Sequence, residues 1–117
     1  MSQQLPRTRR LTRKKEFDRV FTSGKRIAHQ GISARIAAAP NPRLGIALSR
    51  KYGSNVQRNL FKRRVRAAFR QLYQQMPAAD MVITCKGRSS DIGYREISDF
   101  FQYLINHDTV HNQKSDS

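Results

Sequence analysis

The sequence predicts an α+β fold: a compact two-layer α/β sandwich with a sheet of about four strands and three helices. Three observations predict it. Apolar residues recur at helical spacing in three stretches and at strand-like spacing in others, with Gly-, Pro- or Ser-containing breaks at the changes. A chain of 117 residues suits a single domain that buries one core. The 38% hydrophobic content is too high for a disordered polymer.

Taken in order, residues 1–10 are polar, basic and broken by Pro6, and read as a flexible arm. Residues 11–107 form the folded domain, and 108–117 a polar, disordered tail. Thr12 is placed to cap a helix over 13–22, with Phe17, Val20 and Phe21 on one stripe and Ser23-Gly24 ending it. Residues 26–39 then read as strand, with Ile27, Ile32 and Ile36 apolar and a break at Gln30-Gly31. Pro40-Asn41-Pro42 makes a turn, and 44–49 alternates as a further strand that completes a hairpin. After a loop at Tyr52-Gly53-Ser54, Ser54 or Asn55 caps a long helix that runs to Met76, where Pro77 stops it. Residues 81–85 are almost wholly apolar, the mark of a strand inside a sheet. A turn at 87–90 leads to a last helix opened by Ser90 or Asp91, whose apolar face is Ile92, Ile97, Phe100, Phe101, Leu104 and Ile105.

Charge narrows the partners. No Asp or Glu occurs between Asp18 and Asp80, while Lys and Arg recur throughout that interval, and the whole chain carries +15. A field of one sign repels itself, so such a surface is built to meet a polyanion, and nucleic-acid phosphate is the leading candidate. A membrane-surface helix is disfavoured because the basic run has no unbroken apolar face and the chain has no Trp. No apolar stretch approaches the length of a membrane span, and no apolar segment follows the basic residues near the start to make a secretory signal. Cys85 is the single cysteine, which excludes an internal disulfide and a Cys-based zinc cage. It reads as a small strand residue, and the expected compartment is the cytoplasm.

The densest basic run falls on the long helix. On a helical wheel Asn55, Arg58, Asn59, Lys62, Arg63, Arg66 and Arg70 share an arc of roughly 140°. Leu60, Phe61, Val65, Ala68 and Leu72 gather opposite, Phe69 and Tyr73 lie near the polar arc, and Arg64 points away from it. Solvated helix faces usually alternate Glu with Lys at i, i+4; here Arg58, Lys62, Arg66 and Arg70 repel one another at that spacing. An absent anion explains the ladder better than solvation does. Arg favours bidentate phosphate contacts, and the two Asn can reach base edges or 2′-hydroxyls. Phe17 and Phe21, at i, i+4 with Lys14 nearby, make either a patch of core or a short platform for unstacked bases.

Arg58-Asn-Leu-Phe-Lys-Arg-Arg-Val-Arg66 resembles the signature helix of the bacterial ribonuclease P protein family, which reads roughly Arg-Asn-Arg-x-Lys-Arg-x-x-Arg-Glu. Leu44-Gly-Ile-Ala-Leu-Ser-Arg-Lys51 resembles the strand before it. The run from Leu11 to Phe21 followed by Gly24 resembles the first helix, and Asp80-Met-Val-Ile the strand after. The likeness is in order and covers residues 9–106. Two positions depart: Leu60 stands where Arg is usual, and Ala67 where an acid is usual.

The resemblance implies a parallel β-α-β unit with a left-handed crossover, against the general right-handed rule. It implies the protein subunit of an endoribonuclease, a hydrolase, that removes the 5′ leader from precursor tRNA in a ribonucleoprotein. The RNA subunit would carry the chemistry and require Mg²⁺, with no cofactor on the protein. Arg58, Asn59, Lys62, Arg63 and Arg66 would face the RNA subunit, while Phe17 and Phe21 line the leader cleft. A monomeric protein in a 1:1 complex is expected. The residues agree: the eight acids are scattered, His29, His107 and His111 have no triad setting, and no catalytic or metal-binding set is visible. A ribosomal or ribosome-assembly protein is the alternative, sharing charge and size but without leader preference.

Overall fold

A computed structural model describes residues 5–49, 51, 53–85 and 92–107 of the chain. Three helices, α1 (Lys14–Ser23), α2 (Asn55–Gln71) and α3 (Tyr94–Asn106), accompany four strands, β1 (Lys25–His29), β2 (Ile32–Ala38), β3 (Arg43–Ile46) and β4 (Ala79–Cys85). The strands form one mixed sheet in the order β1-β2-β4-β3. The α+β sandwich expected from the sequence is therefore the observed class.

The hairpin lies elsewhere than expected. Gln30 and Gly31 both have positive φ, 53° and 84°, and they turn β1 directly into antiparallel β2, with His29 opposite Ile32. Two consecutive left-handed residues give the turn twist that matches paired strands, so the break at Gln30-Gly31 is the hairpin. β3 does not pair with β2. It runs parallel to β4 at the far edge, and β4 lies between them, antiparallel to β2. Burial explains the order: Ala79 through Ile83 are all buried, so β4 needs a neighbour on each side and cover on both faces. The Pro40-Asn41-Pro42 segment carries the chain across the place that β4 fills.

Helices α2 and α3 cover one face of the sheet. Phe61, Val65, Ala68 and Phe69 of α2, with Ile97, Phe100, Phe101 and Leu104 of α3, pack on Ile32, Ile36, Leu44, Met81 and Ile83. Phe69, near the polar arc on the wheel, is fully buried, edge-on to Phe101 and Tyr73. α1 covers part of the opposite face through a smaller cluster of Leu11, Val20, Ala37 and Val82, with Phe17 packed against it. Leu60 departs from expectation, since it is 37% exposed. The sheet-facing stripe of α2 passes through positions 61, 65 and 68, and Leu60 falls beyond its edge.

One of the predicted helix caps is observed and another is not. Thr12 does not cap α1 with its hydroxyl; the Glu16 carboxylate accepts from the backbone N–H groups of Thr12 and Arg13, at 2.9 Å each. α2 begins as expected: Gln57 N–H donates to Ser54 Oγ at 3.2 Å, and Ser54 N–H donates to Gln57 Oε1 at 3.0 Å. It ends at Gln71 rather than near Met76, and a 3-10 turn, Tyr73–Gln75, leads on to Pro77. α3 begins at Tyr94, where Glu96 Oε1 accepts from Gly93 N–H at 2.9 Å. The turn at 87–90, its capping residues Ser90 and Asp91, and the tail 108–117 lie outside the described residues.

From Leu5 to Arg10 the basic arm packs on the domain. Leu5 is buried, Arg7–Arg9 forms a 3-10 turn, and Arg10 bridges to Leu44. Leu11 N–H donates to Leu44 C=O at 2.9 Å, and the Arg9 guanidinium sits 3.6 Å from the centroid of the Tyr73 ring.

Candidate nucleic-acid interface

The basic ladder rides on α2 because the opposite stripe of that helix is bound into the core. Asn55, Asn59 and Arg63 are exposed, while Arg58, Lys62, Arg66 and Arg70 are half-buried. The Arg58 guanidinium donates to Asn55 Oδ1, which orients both side chains in the first turn. The ladder is not one surface. Lys62 and Arg66 lean toward β3 and the N-terminal segment, whereas Arg63 lines a separate hollow with Leu60, Arg64, Ala67 and Tyr94.

A cavity of about 150 Å³ opens where the N-terminal segment, α1, β3 and α2 meet, and Arg10, Phe17, Gly45, Lys62 and Arg66 line it. Two groups of residues that sequence reasoning kept apart therefore share one site: Phe17 from the first helix and Lys62 with Arg66 from the basic helix. Arg66 is held below the usual guanidinium value, first by burial and then by the charge of Arg10. Arg10 Nε is itself buried without a hydrogen-bond partner. Two guanidinium groups that repel one another around a partly enclosed space are arranged for an anion, and a phosphate group has the charge and acceptor oxygens to satisfy both.

Phe17 has a double role in this geometry. Its ring packs against the α1-side cluster and also walls the cavity. It lies so close to β3 that a Cβ on Gly45 would stand 2.8 Å from Cε2 and Cζ. Glycine at 45 is therefore what lets the ring approach the strand. Phe21, one turn on, is 39% exposed and free to meet another surface. Lys14 is exposed, and its ammonium donates to Asp18 at 2.9 Å. That contact, by hydrogen bond first and charge second, raises the Lys14 pKa.

Sequence reasoning missed three features here. Arg10, assigned to a flexible arm, is part of the cavity wall. Tyr94 was not singled out. Two of the scattered acids meet guanidinium groups across the fold: Arg43 Nη1 donates to Glu16 Oε2 at 3.0 Å, and Arg19 Nη2 to Asp80 Oδ2 at 2.6 Å. Asp80 is fully buried, and an acid opening an apolar strand was a readable signal, because a buried carboxylate needs a cationic partner. The resulting ion pairs fix α1 against β3 and β4, and so set the wall that carries Phe17. Among the described residues no three His, Cys, Asp or Glu side chains come together as a metal cage. His29 and His107 instead stack on Tyr103, at ring-centroid distances of 4.3 and 4.2 Å.

Fold and site together define a small basic α+β domain in which a cationic helix face borders a cleft shared by the sheet and first helix. Residues 5–108 match the family model described as Ribonuclease P. The chain is 36% identical over 106 residues to the ribonuclease P protein component of Pseudanabaena sp. (strain PCC 6903), covering 86% of this chain and 91% of that protein. It is 31% identical over 103 residues to that of Chlamydia felis (strain Fe/C-56), covering 86% and 74%. Among solved structures, the RNase P protein from Thermotoga maritima superposes with a TM-score of 0.74 at 26% identity, covering 84% of this chain and 96% of that one. The RNase P protein of Staphylococcus aureus shares the fold with a TM-score of 0.76 at 23% identity, covering 89% and 98%. The chain belongs to the ribonuclease P protein family.

Proposed function

We propose that this protein assists a catalytic RNA in removing the 5′ leader from precursor tRNA, one protein acting with each RNA. The observation that carries the reading is the cavity where Arg10, Lys62 and Arg66 converge beside Phe17. Cations there and along α2 hold phosphates of the RNA subunit, and each phosphate neutralised releases counterions. Phe17 and Phe21 face the single-stranded leader, whose unpaired bases can stack on aromatic rings while nearby cations track its backbone. The ribosomal alternative has no comparable support, because the family match runs nearly the length of the domain.

The protein contributes binding rather than bond-making in this reading. Glu16 and Asp80 are both engaged by guanidinium groups, which supports a division of labour in which the RNA holds the Mg²⁺. Positive charge on the protein lowers repulsion between RNA strands, so that the folded RNA and its substrate approach at lower Mg²⁺ concentration.

The test is cleavage of a precursor tRNA at low Mg²⁺ by a bacterial ribonuclease P RNA, with and without this protein, beside a protein-only control. Stimulation that requires the RNA supports the assisting role. Cleavage by the protein alone, or tight RNA binding with no stimulation, overturns it.

A further inference from the structure

The hollow on the α3 side of α2 is separate from the cavity beside Phe17, and it has a chemistry of its own. Leu60, Arg63, Arg64 and Ala67 lie at i, i+3, i+4 and i+7, which is one helix face, and Tyr94 closes the hollow from the start of α3. Its volume is about 280 Å³, near the lower limit of about 300 Å³ for pockets that hold a small organic molecule. Among the described residues four large hydrophobic side chains are exposed. Three of them, Val56 at 76%, Leu60 at 37% and Tyr94 at 41%, lie along α2 and the first turn of α3. Apolar side chains clustered at a surface mark a contact site more often than scattered ones do.

The walls are fixed in place. Arg64 Nη1 donates to Ile92 C=O at 3.0 Å, tying α2 to the entry of α3, and Ile92 itself is buried. The Glu96 cap at Gly93 then sets the first turn on which Tyr94 stands. The rim carries the exposed charge of Arg63. Apolar floor, phenol ring and guanidinium rim together suit a flat group attached to a phosphate. They suit neither a greasy helix, which would bury the arginine, nor a bare anion, which would leave the floor uncovered. Ala67 is too small to fill the space beside Leu60, so the hollow stays open on this helix face.

We propose that the hollow bounded by Leu60, Arg63, Arg64, Ala67 and Tyr94 receives one unpaired nucleobase of the RNA subunit, stacked on Tyr94 with the adjoining phosphate on Arg63. The inference rests on the ribonuclease P RNA reading and adds to it a base-accepting subsite opened by Leu60 and Ala67.

The experiment measures affinity for a bacterial ribonuclease P RNA across a salt series for the full-length protein and for Tyr94→Ala, Tyr94→Phe and Ala67→Phe, with folding checked by circular dichroism. Loss of a stacked base weakens binding by about 5- to 150-fold, and it does so without changing the salt slope, because no phosphate contact is removed. Tyr94→Ala is expected to show that loss, Tyr94→Phe to bind as the wild type does, and Ala67→Phe, which fills the hollow from the exposed side, to reproduce it. Should Tyr94→Ala fail to fold, Ala67→Phe decides alone. Wild-type affinity in the folded variants overturns the subsite while leaving the parent reading intact, and a flattened salt slope in Tyr94→Ala does the same. Wild-type protein that neither binds the RNA nor stimulates its cleavage overturns both.

Discussion

Arg43 and Asp80 face each other on neighbouring parallel strands as a two-pronged ion pair. Arg43 Nε donates to Asp80 Oδ1 at 2.8 Å and Nη2 to Oδ2 at 2.9 Å, in the register that sets Arg43 of β3 against Asp80 of β4. The pair is anchored on its buried side, since Asp80 has no exposed surface while Arg43 keeps about a third of its side chain in water. The contact raises the Arg43 pKa, through the Asp80 hydrogen bond first, against the opposing effect of burial. Because Arg43 also reaches Glu16 and Asp80 also takes Arg19, one buried carboxylate organises two strands and the first helix.

Removing that carboxylate leaves Arg19 and Arg43 facing each other over an apolar site. Asp80→Ala is expected to cost about 3 kcal/mol, the lower end for breaking a buried pair, because both arginines can turn partly to solvent. Asp80→Asn should cost less, since its amide oxygen still accepts a hydrogen bond. Urea unfolding with an unchanged m-value measures both. A loss for Asp80→Ala below about 1 kcal/mol would put the network with ordinary surface ion pairs.

Glu16 gives the fold an acid-side dependence. Its carboxyl is held below the ordinary 4.5, chiefly by the backbone N–H groups of Arg13 and Thr12, with Arg43 adding to the effect. A carboxylate whose folded pKa is depressed contributes stability above its unfolded value, and that contribution is lost as pH falls through the folded value. Stability should therefore be steady above pH 4.5 and decline below it. Glu16→Gln should show a shallower decline below pH 4.5, measured by thermal unfolding at a series of pH values. Identical profiles for the two proteins would assign the acid sensitivity to other carboxylates.

The two sides of α2 predict different salt behaviour. Arg58, Lys62 and Arg66 carry phosphate contacts in the proposed reading. Their joint replacement by Ala should flatten the log–log dependence of RNA affinity on salt by about two to three phosphate equivalents, each about 0.7 to 0.9 in slope. Arg10→Ala should behave in the same direction, because Arg10 faces Arg66 across the cavity. An unchanged slope in the triple variant would remove the ladder from the interface.

What the sequence made legible was local: helix α2 with its Ser54 cap, the apolar strand that became β4, and the cationic arc. Strand order was not legible. Pairing between β2, β4 and β3 joins residues far apart in sequence, and the only local clue, the burial of β4 on both faces, says where that strand sits but not which edge β3 takes. The site was half legible for the same reason. Periodicity identified Lys62, Arg66 and Phe17 separately, but their meeting around one cavity depends on β3 lying parallel to β4 and on Leu5–Thr12 folding back over α2. The wheel also treated Arg63 and Lys62 as one surface, although adjacent residues on a helix point about 100° apart and here line different hollows.

Phe17 and Phe21 separate packing from recognition, because only one of them is embedded. Phe21 is 39% exposed, so Phe21→Ala should change stability by no more than about 0.5 kcal/mol. If the ring stacks on a leader base, the same variant weakens binding of leader-bearing precursor by about 1–3 kcal/mol and leaves mature tRNA unaffected. Phe17→Ala should do both, since its ring packs on the α1-side cluster as well as walling the cavity. Gly45→Ala provides an independent handle on Phe17, because the added methyl would meet the ring 2.8 Å away and push it from the strand. That crowding is expected to cost about 1–3 kcal/mol of stability and to lower leader discrimination with every contacting side chain still present. Gly45→Ala protein that is destabilised but discriminates leader-bearing precursor from mature tRNA as the wild type does would make Phe17 a packing residue alone and leave the leader to Phe21.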